Sequence, residues 1–240
     1  MTDTGVFPDP SPGRNTVPWR RVAAVAAAVF LAVAGCSKIN TDLEVTASLS
    51  GQRTMVVSVS ESDFSSHVSG TAEEASAVIA SAMPANLTGT PLTLTEGTYE
   101  TTIVLPFSSP SDYLTKVQEV LDAGEVDLEA EVLMAIADSP FSQGVVVDEN
   151  FDSEDLLEWM RTALVDEGMI SSTDADSMFE FGTTTVTYDG ETESNYATIS
   201  FDNREDGGMA NVAMTTAYEG DGTWSRTVYF EMSNYVYEKQ

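Results

Sequence analysis

The chain has 240 residues, with 39 Asp and Glu against 10 Lys and Arg and a formal charge of −29 at pH 7. That balance excludes nucleic acid as a partner, because a polyanion would meet repulsion instead of releasing counterions. A single cysteine and a single histidine exclude an internal disulfide and a multi-histidine metal site.

Residues 1–19 are rich in Pro, Gly, Ser and Thr and show no apolar period. Arg20 and Arg21 then precede an uncharged run from Val22 to Ala34. The run falls well short of the roughly 20 residues that cross a bilayer and matches the apolar segment of a signal peptide. It ends in Val33-Ala34-Gly35-Cys36, which resembles the bacterial lipobox: a short aliphatic residue, two small ones, then the modified cysteine. The resemblance implies cleavage before Cys36 and acyl chains, palmitate among them, on its thiol. Val22-Ala23-Ala24 lacks the bulky apolar pair of twin-arginine signals, which favours general secretion. Residues 1–35 are therefore read as a lipoprotein signal peptide with a disordered leader. Residues 36–240 are read as an acidic extracytoplasmic α+β domain on the cell membrane, with sub-halves 38–140 and 141–240. Past the cleavage point, 37 acidic residues stand against seven basic ones.

In the mature chain, Leu43, Val45, Ala47 and Leu49 alternate with polar residues, and Met55 to Val59 follow Gly51-Gln52. This predicts a hairpin over 41–60. Ala72 to Met83 reads as a helix ended by Pro84, and 91–107 as an extended stretch with a turn or bulge at Gly97. Ser111 is the expected cap of a helix carrying Tyr113, Leu114, Val117, Val120 and Leu121, stopped near Gly124. Residues 125–137 fit strand or helix equally. After a short strand at Val145-Val146-Val147, Asp152 opens a helix with Leu156, Leu157, Met160 and Leu164. Asp152 and Asp155 have capping-box spacing, Phe151 and Leu156 that of a hydrophobic staple, and Gly168 suits the stop. Strands at 183–188, 195–201, 209–218 and 223–233, separated by glycine-bearing turns, predict a C-terminal antiparallel meander. Hairpin-rich regions around about three helices, without βα alternation, give an α+β class with antiparallel sheets.

Over residues 36–121 the order of elements resembles the N-terminal part of LppM-type lipoproteins of actinobacteria. It is carried by Gly35-Cys36 followed closely by Leu43-Glu44-Val45, the turn at Gly51, the helix near 71–83 and the strand ending Val104-Leu105-Pro106-Phe107. The resemblance implies a surface lipoprotein with a lipid-binding-like α/β fold and a groove for a glycolipid. The chain departs from the family in lacking a C-terminal transmembrane segment and in its acidic second half, and no binding residue transfers.

No residue is assigned to catalysis, to a metal or to a cofactor. Asp148, Asn150 and Asp152 fit the start of a calcium loop, but Ser153 and Trp159 occupy its sixth and twelfth positions, so Asp152 reads as a cap. Asp202 to Gly208 reads as a hairpin turn, with Arg204 competing against any bound cation. His67 lies in a polar stretch, and no serine sits in a Gly-x-Ser-x-Gly elbow. Trp159, Trp224, Tyr218, Tyr229, Tyr235 and Tyr237 read as core or sheet-face residues. The expectation is a non-enzymatic lipoprotein joined to the membrane through Cys36, binding a glycolipid or an envelope protein. The alternative is an extracytoplasmic hydrolase or transferase whose carboxylates hide among the acids, and a third role is an acidic exterior suited to high salt. The membrane-facing side is expected near Lys38 and Arg53.

Overall fold

The computed structural model describes residues 37–139, 142–195, 197–206 and 209–232. The signal segment, the lipobox residues Val33, Ala34 and Gly35, the anchor Cys36, and Tyr235 and Tyr237 lie outside the described residues.

The hairpin predicted at 41–60 starts earlier, at the first described residue. Strand β1 (Ser37–Val45) pairs antiparallel with β2 (Gly51–Ser60), Ile39 facing Val57 and Leu43 facing Arg53. Ile39 already points inward between outward Lys38 and Asn40, so the alternation that buries Leu43 and Val45 begins four residues sooner. The backbone N–H of Ser37 donates to the Met178 carbonyl at 2.7 Å, tying the strand down at its first residue.

Five further strands complete a seven-stranded sheet that is mixed, not antiparallel throughout as the sequence predicts. β5 (Thr98–Phe107) pairs with β2 and carries β3 (Thr88–Gly89) and β4 (Thr93–Thr95) on its other edge. Glu96 and Gly97, both at positive φ, make the tight turn between β4 and β5, as the sequence suggested for Gly97. On the far side, β8 (Phe179–Tyr188) runs parallel to β1 and pairs antiparallel with β9 (Glu191–Asn195). The β1–β8 register slips at Gly182, where a Cβ would lie 2.3 Å from the Asn40 side-chain oxygen. That oxygen instead accepts from the Thr183 N–H at 3.0 Å.

Among the described residues there are five helices, not about three: α1 (Glu61–His67), α2 (Ala72–Ala82), α3 (Pro110–Ala123), α4 (Glu158–Asp166) and α5 (Ser172–Ala175). The two extra helices have no apolar stripe to betray them. α1 buries only Phe64 and α5 only Ala175, and serine caps hold both, Ser60 accepting from Asp63 N–H and Ser171 from Asp174 N–H. α3 is capped by Ser109 with Pro110 in its first turn, two residues before the expected cap. At 152 the capping box forms as read: Asp152 accepts from the N–H groups of Glu154 and Asp155, and Asp155 accepts from that of Asp152. A short 3-10 turn, Asp155–Leu157, precedes α4.

The C-terminal meander is the second correction. Its four segments are divided among three sheets. β8 joins the large sheet, while β10 (Ser200–Asp202) and β11 (Glu205–Asp206) both lie along β7 (Ser142–Glu149), which also pairs with β6 (Val132–Ser139). Residues 125–137 thus end as strand from Val132 on. The stretch 202–206 is no hairpin turn but an interruption in one strand, because Asn203 fills the gap by accepting from the Val145 N–H at 2.8 Å. Glycine and acid punctuation look alike in a turn and in such an interrupted strand, so sequence could not separate them. β12 (Met209–Tyr218) and β13 (Trp224–Met232) form a two-stranded sheet of their own.

Inward residues of β1, β2 and β5, among them Leu43, Met55, Ile103 and Leu105, pack under the helices with Tyr113, Val117, Leu121, Leu156 and Met160. Each such fully buried side chain contributes roughly 1.5–3 kcal/mol. No helix among the described residues is long and apolar enough to cross a membrane.

Candidate functional site

A small, half-open cleft with a cavity volume of about 70 Å³ lies between the large sheet and α1, α2 and α4. Its floor is Val57 and Val59 of β2 with Thr101 of β5, and its walls include Phe64, Ile79 and Leu164. Strand alternation sets the floor, since Val57 is in phase with the inward Met55. Helical spacing sets one wall, since Ala75 and Ile79 are one turn apart on α2. Thr101 adds no free polar group, because its hydroxyl donates to the Thr90 carbonyl at 2.6 Å. Ser37, the residue after Cys36, also lines the cleft.

Polar groups collect at one part of the lining: Asp63, His67 and Asp174. His67 Nδ1 lies 3.1 Å from Asp174 Oδ1, joining α1 to α5, and both side chains are partly exposed. The Ser171 hydroxyl, and after it His67, hold the Asp174 carboxyl below the usual carboxylate range. These three do not form a catalytic triad. Ser171 donates to the aspartate at 2.6 Å rather than to the imidazole, so the histidine could not take its proton.

A second polar cluster is sealed inside. Arg53, Glu149 and Tyr113 have fully buried side chains. Arg53 Nη1 donates to Glu149 Oε2 at 2.6 Å and to the Tyr113 hydroxyl at 3.0 Å, and Nη2 donates to Ser153 Oγ at 2.9 Å. The Tyr113 hydroxyl donates to Glu149 Oε1 at 2.8 Å, and Ser153 Oγ lies 2.6 Å from Thr41 Oγ1. The guanidinium also lies 5.4 Å from the centre of the Phe151 ring, a cation–π distance. Arg53 Nε alone is left without a partner. Burial opposes the charge on Arg53, but the Tyr113 and Glu149 oxygens outweigh it and hold the guanidinium above its ordinary pKa. Burial pushes Glu149 and Tyr113 up, against the pull of Arg53. With two donors aimed at it, Glu149 is held as the carboxylate partner of a permanent cation. Closed off from solvent, this network links β1, β2, α3 and β7 and can touch no substrate.

Arg53 is thus buried, not at the surface beside Lys38 as expected of a membrane-facing charge. A signal for its burial was available. Arg53 is in phase with Met55 and Val57 on β2, and Glu149 with Val145 and Val147 on β7: opposite charges at inward positions of two alternating strands.

The remaining acidic candidates are used locally. Asn150 bonds the backbone at Glu129 and Glu131, and Asp152 caps, so neither is free for a calcium loop. Arg204 forks onto Asp202 at 2.8 and 2.5 Å and holds its carboxyl down to about 2. Among the described residues no three His, Cys, Asp or Glu converge as a metal set. Trp159 is core, 3% exposed, with its indole N–H donating to the Leu156 carbonyl at 2.9 Å. Trp224 and Tyr218 differ: their rings pack at a tilt, 4.8 Å between centres, and both are exposed.

No protein-family model matches the chain, and no curated protein matches it. Among solved structures it is similar to the NMR structure of the folded domain of Mycobacterium tuberculosis LppM. The match is 7% identical, spans 85% of this chain and 89% of that one, and has a TM-score of 0.29. A score that low gives no residue correspondence, and the cleft stands on its own geometry.

Proposed function

We propose that this protein is a lipid-anchored extracytoplasmic binding module that takes an envelope ligand with an apolar chain into the cleft beneath α1, α2 and α4. The observation that carries the reading is the cleft itself, with apolar walls at Val57, Phe64, Ile79 and Leu164 and a polar edge at Asp63, His67 and Asp174. Apolar concavity with a few converging polar groups is the ordinary form of a small-molecule site. An amphipathic ligand such as a glycolipid suits it, the apolar chain against the valines and the polar part toward the His67–Asp174 pair. The anchor is supported by the lipobox at Cys36.

Native mass spectrometry of the mature protein tests the cleft. Wild type is expected to carry an additional non-covalent lipid or glycolipid mass, or to take up cis-parinaric acid, and Ile79→Trp, which fills the cleft, is expected to lose both. Neither mass nor probe binding in a folded wild-type protein would sink the reading. The anchor is checked separately with Cys36→Ala, which is expected to lose acylation and membrane retention.

A further inference from the structure

The β12–β13 hairpin contradicts the general rule of this molecule, that charge covers the outside. Every described side chain from Val212 to Tyr229 is exposed, so the hairpin buries neither face. A lone two-stranded sheet is marginal in water, and a pair of this kind gains most from a surface that covers one face.

The register makes the two faces unequal. Opposite residues of an antiparallel pair share a face, and Met214 is opposite Val228, Thr216 opposite Arg226, and Tyr218 opposite Trp224. One face therefore carries Val212, Met214, Tyr218, Trp224 and Val228, each at least 44% exposed. The reverse face carries Ala213, Thr215, Ala217, Ser225, Thr227 and Tyr229. The apolar face has one charge, Arg226, whose Nε lies 3.4 Å from Thr216 Oγ1 across the ladder. It has no carboxylate, in a chain with 39 of them.

We infer that the Val212–Trp224 face of this hairpin lies flat on the lipid–water interface of an anionic membrane. This rests on the reading that the protein is held at a membrane. Tryptophan and tyrosine on one rung suit the headgroup level, where an apolar ring body and a polar edge are both satisfied. Arg226 is placed to meet a lipid phosphate, and the acid-free face avoids the repulsion that the rest of the surface would suffer within a Debye length. Packing two copies through this face would bury two Arg226 guanidiniums with no carboxylate on either side, a costly arrangement. The hairpin lies flat instead of entering tip first because its turn holds Glu219 and Asp221. The Thr223 hydroxyl and N–H bond Asp221 and hold its carboxyl below the usual range, which keeps the turn charged.

Tryptophan quenching tests this on the full lipidated protein in vesicles of brominated phosphatidylcholine and phosphatidylglycerol. Subtracting the Trp224→Phe variant isolates the Trp224 signal from the buried Trp159. Bilayer contact predicts blue-shifted Trp224 emission that brominated lipid quenches, and Arg226→Glu is expected to abolish the quenching. Unquenched, water-like Trp224 emission overturns the inference, as does self-association in detergent that Trp224→Phe removes. Flotation of the same samples separates the two readings. Flotation with an unquenched Trp224 leaves the anchor standing and removes the hairpin contact. Flotation lost on Trp224→Ala with Met214→Ala leaves the contact standing and removes the anchor.

Discussion

The Arg53 network and the β12–β13 hairpin each reverse the usual distribution of polarity, in opposite directions. The first puts an ion pair in the core and the second puts an apolar ladder in water. The charge is tolerable because its partners come from the same chain: Glu149, Tyr113 and Ser153 converge on one guanidinium. The ladder has no such covering from Val212 to Tyr229. An inverted residue with its complement inside the fold is a structural device. One whose complement is missing from the fold points outward, to a surface or a ligand.

Arg53→Met strands Glu149 and Tyr113 in the core, and urea unfolding is expected to show a loss of about 3–5 kcal/mol. Adding Glu149→Leu should recover much of it, since a hydrophobic pair needs no compensation; a double variant as weak as the single one would show that the network does more than pair its own charges. Next in size is Tyr113→Phe, which removes a hydroxyl that bonds both Arg53 and Glu149. Its cost is expected at about 1–3 kcal/mol, read from the same unfolding midpoints, and a neutral result would leave the arginine alone in charge of the site. The smallest effect belongs to the hairpin. Met214→Thr with Trp224→Thr is expected to change stability by no more than about 0.5 kcal/mol, because exposed residues lose little on truncation. A large loss of thermal stability would mean that the ladder packs against the domain, and the contrast between the two regions would disappear.

Local rules carried much of the fold. Alternation located β1 and β2, helical spacing located α2 and α3, and the Asp152–Asp155 box fixed the start of the turn before α4. These are interactions among residues a few positions apart, where chemistry and spacing suffice. α1 escaped because seven residues with one buried side chain have no period to read. The cleft was not legible at all, since Val57, Ile79 and Leu164 come together only when a sheet and two distant helices close on each other.

Pattern alone carries the acidic charge, the α+β class and the alternation of β1 and β2, while the lipobox at Cys36 stands as an expectation. The phase of Arg53 and Glu149 belongs in that group, though its meaning does not. Only the tertiary structure decided that these two charges, 96 positions apart, meet at 2.6 Å. It also divided the C-terminal strands among three sheets and left one pair uncovered. Strand pairing depends on which edges are free once the rest of the chain has folded, and a linear pattern records alternation but not the partner.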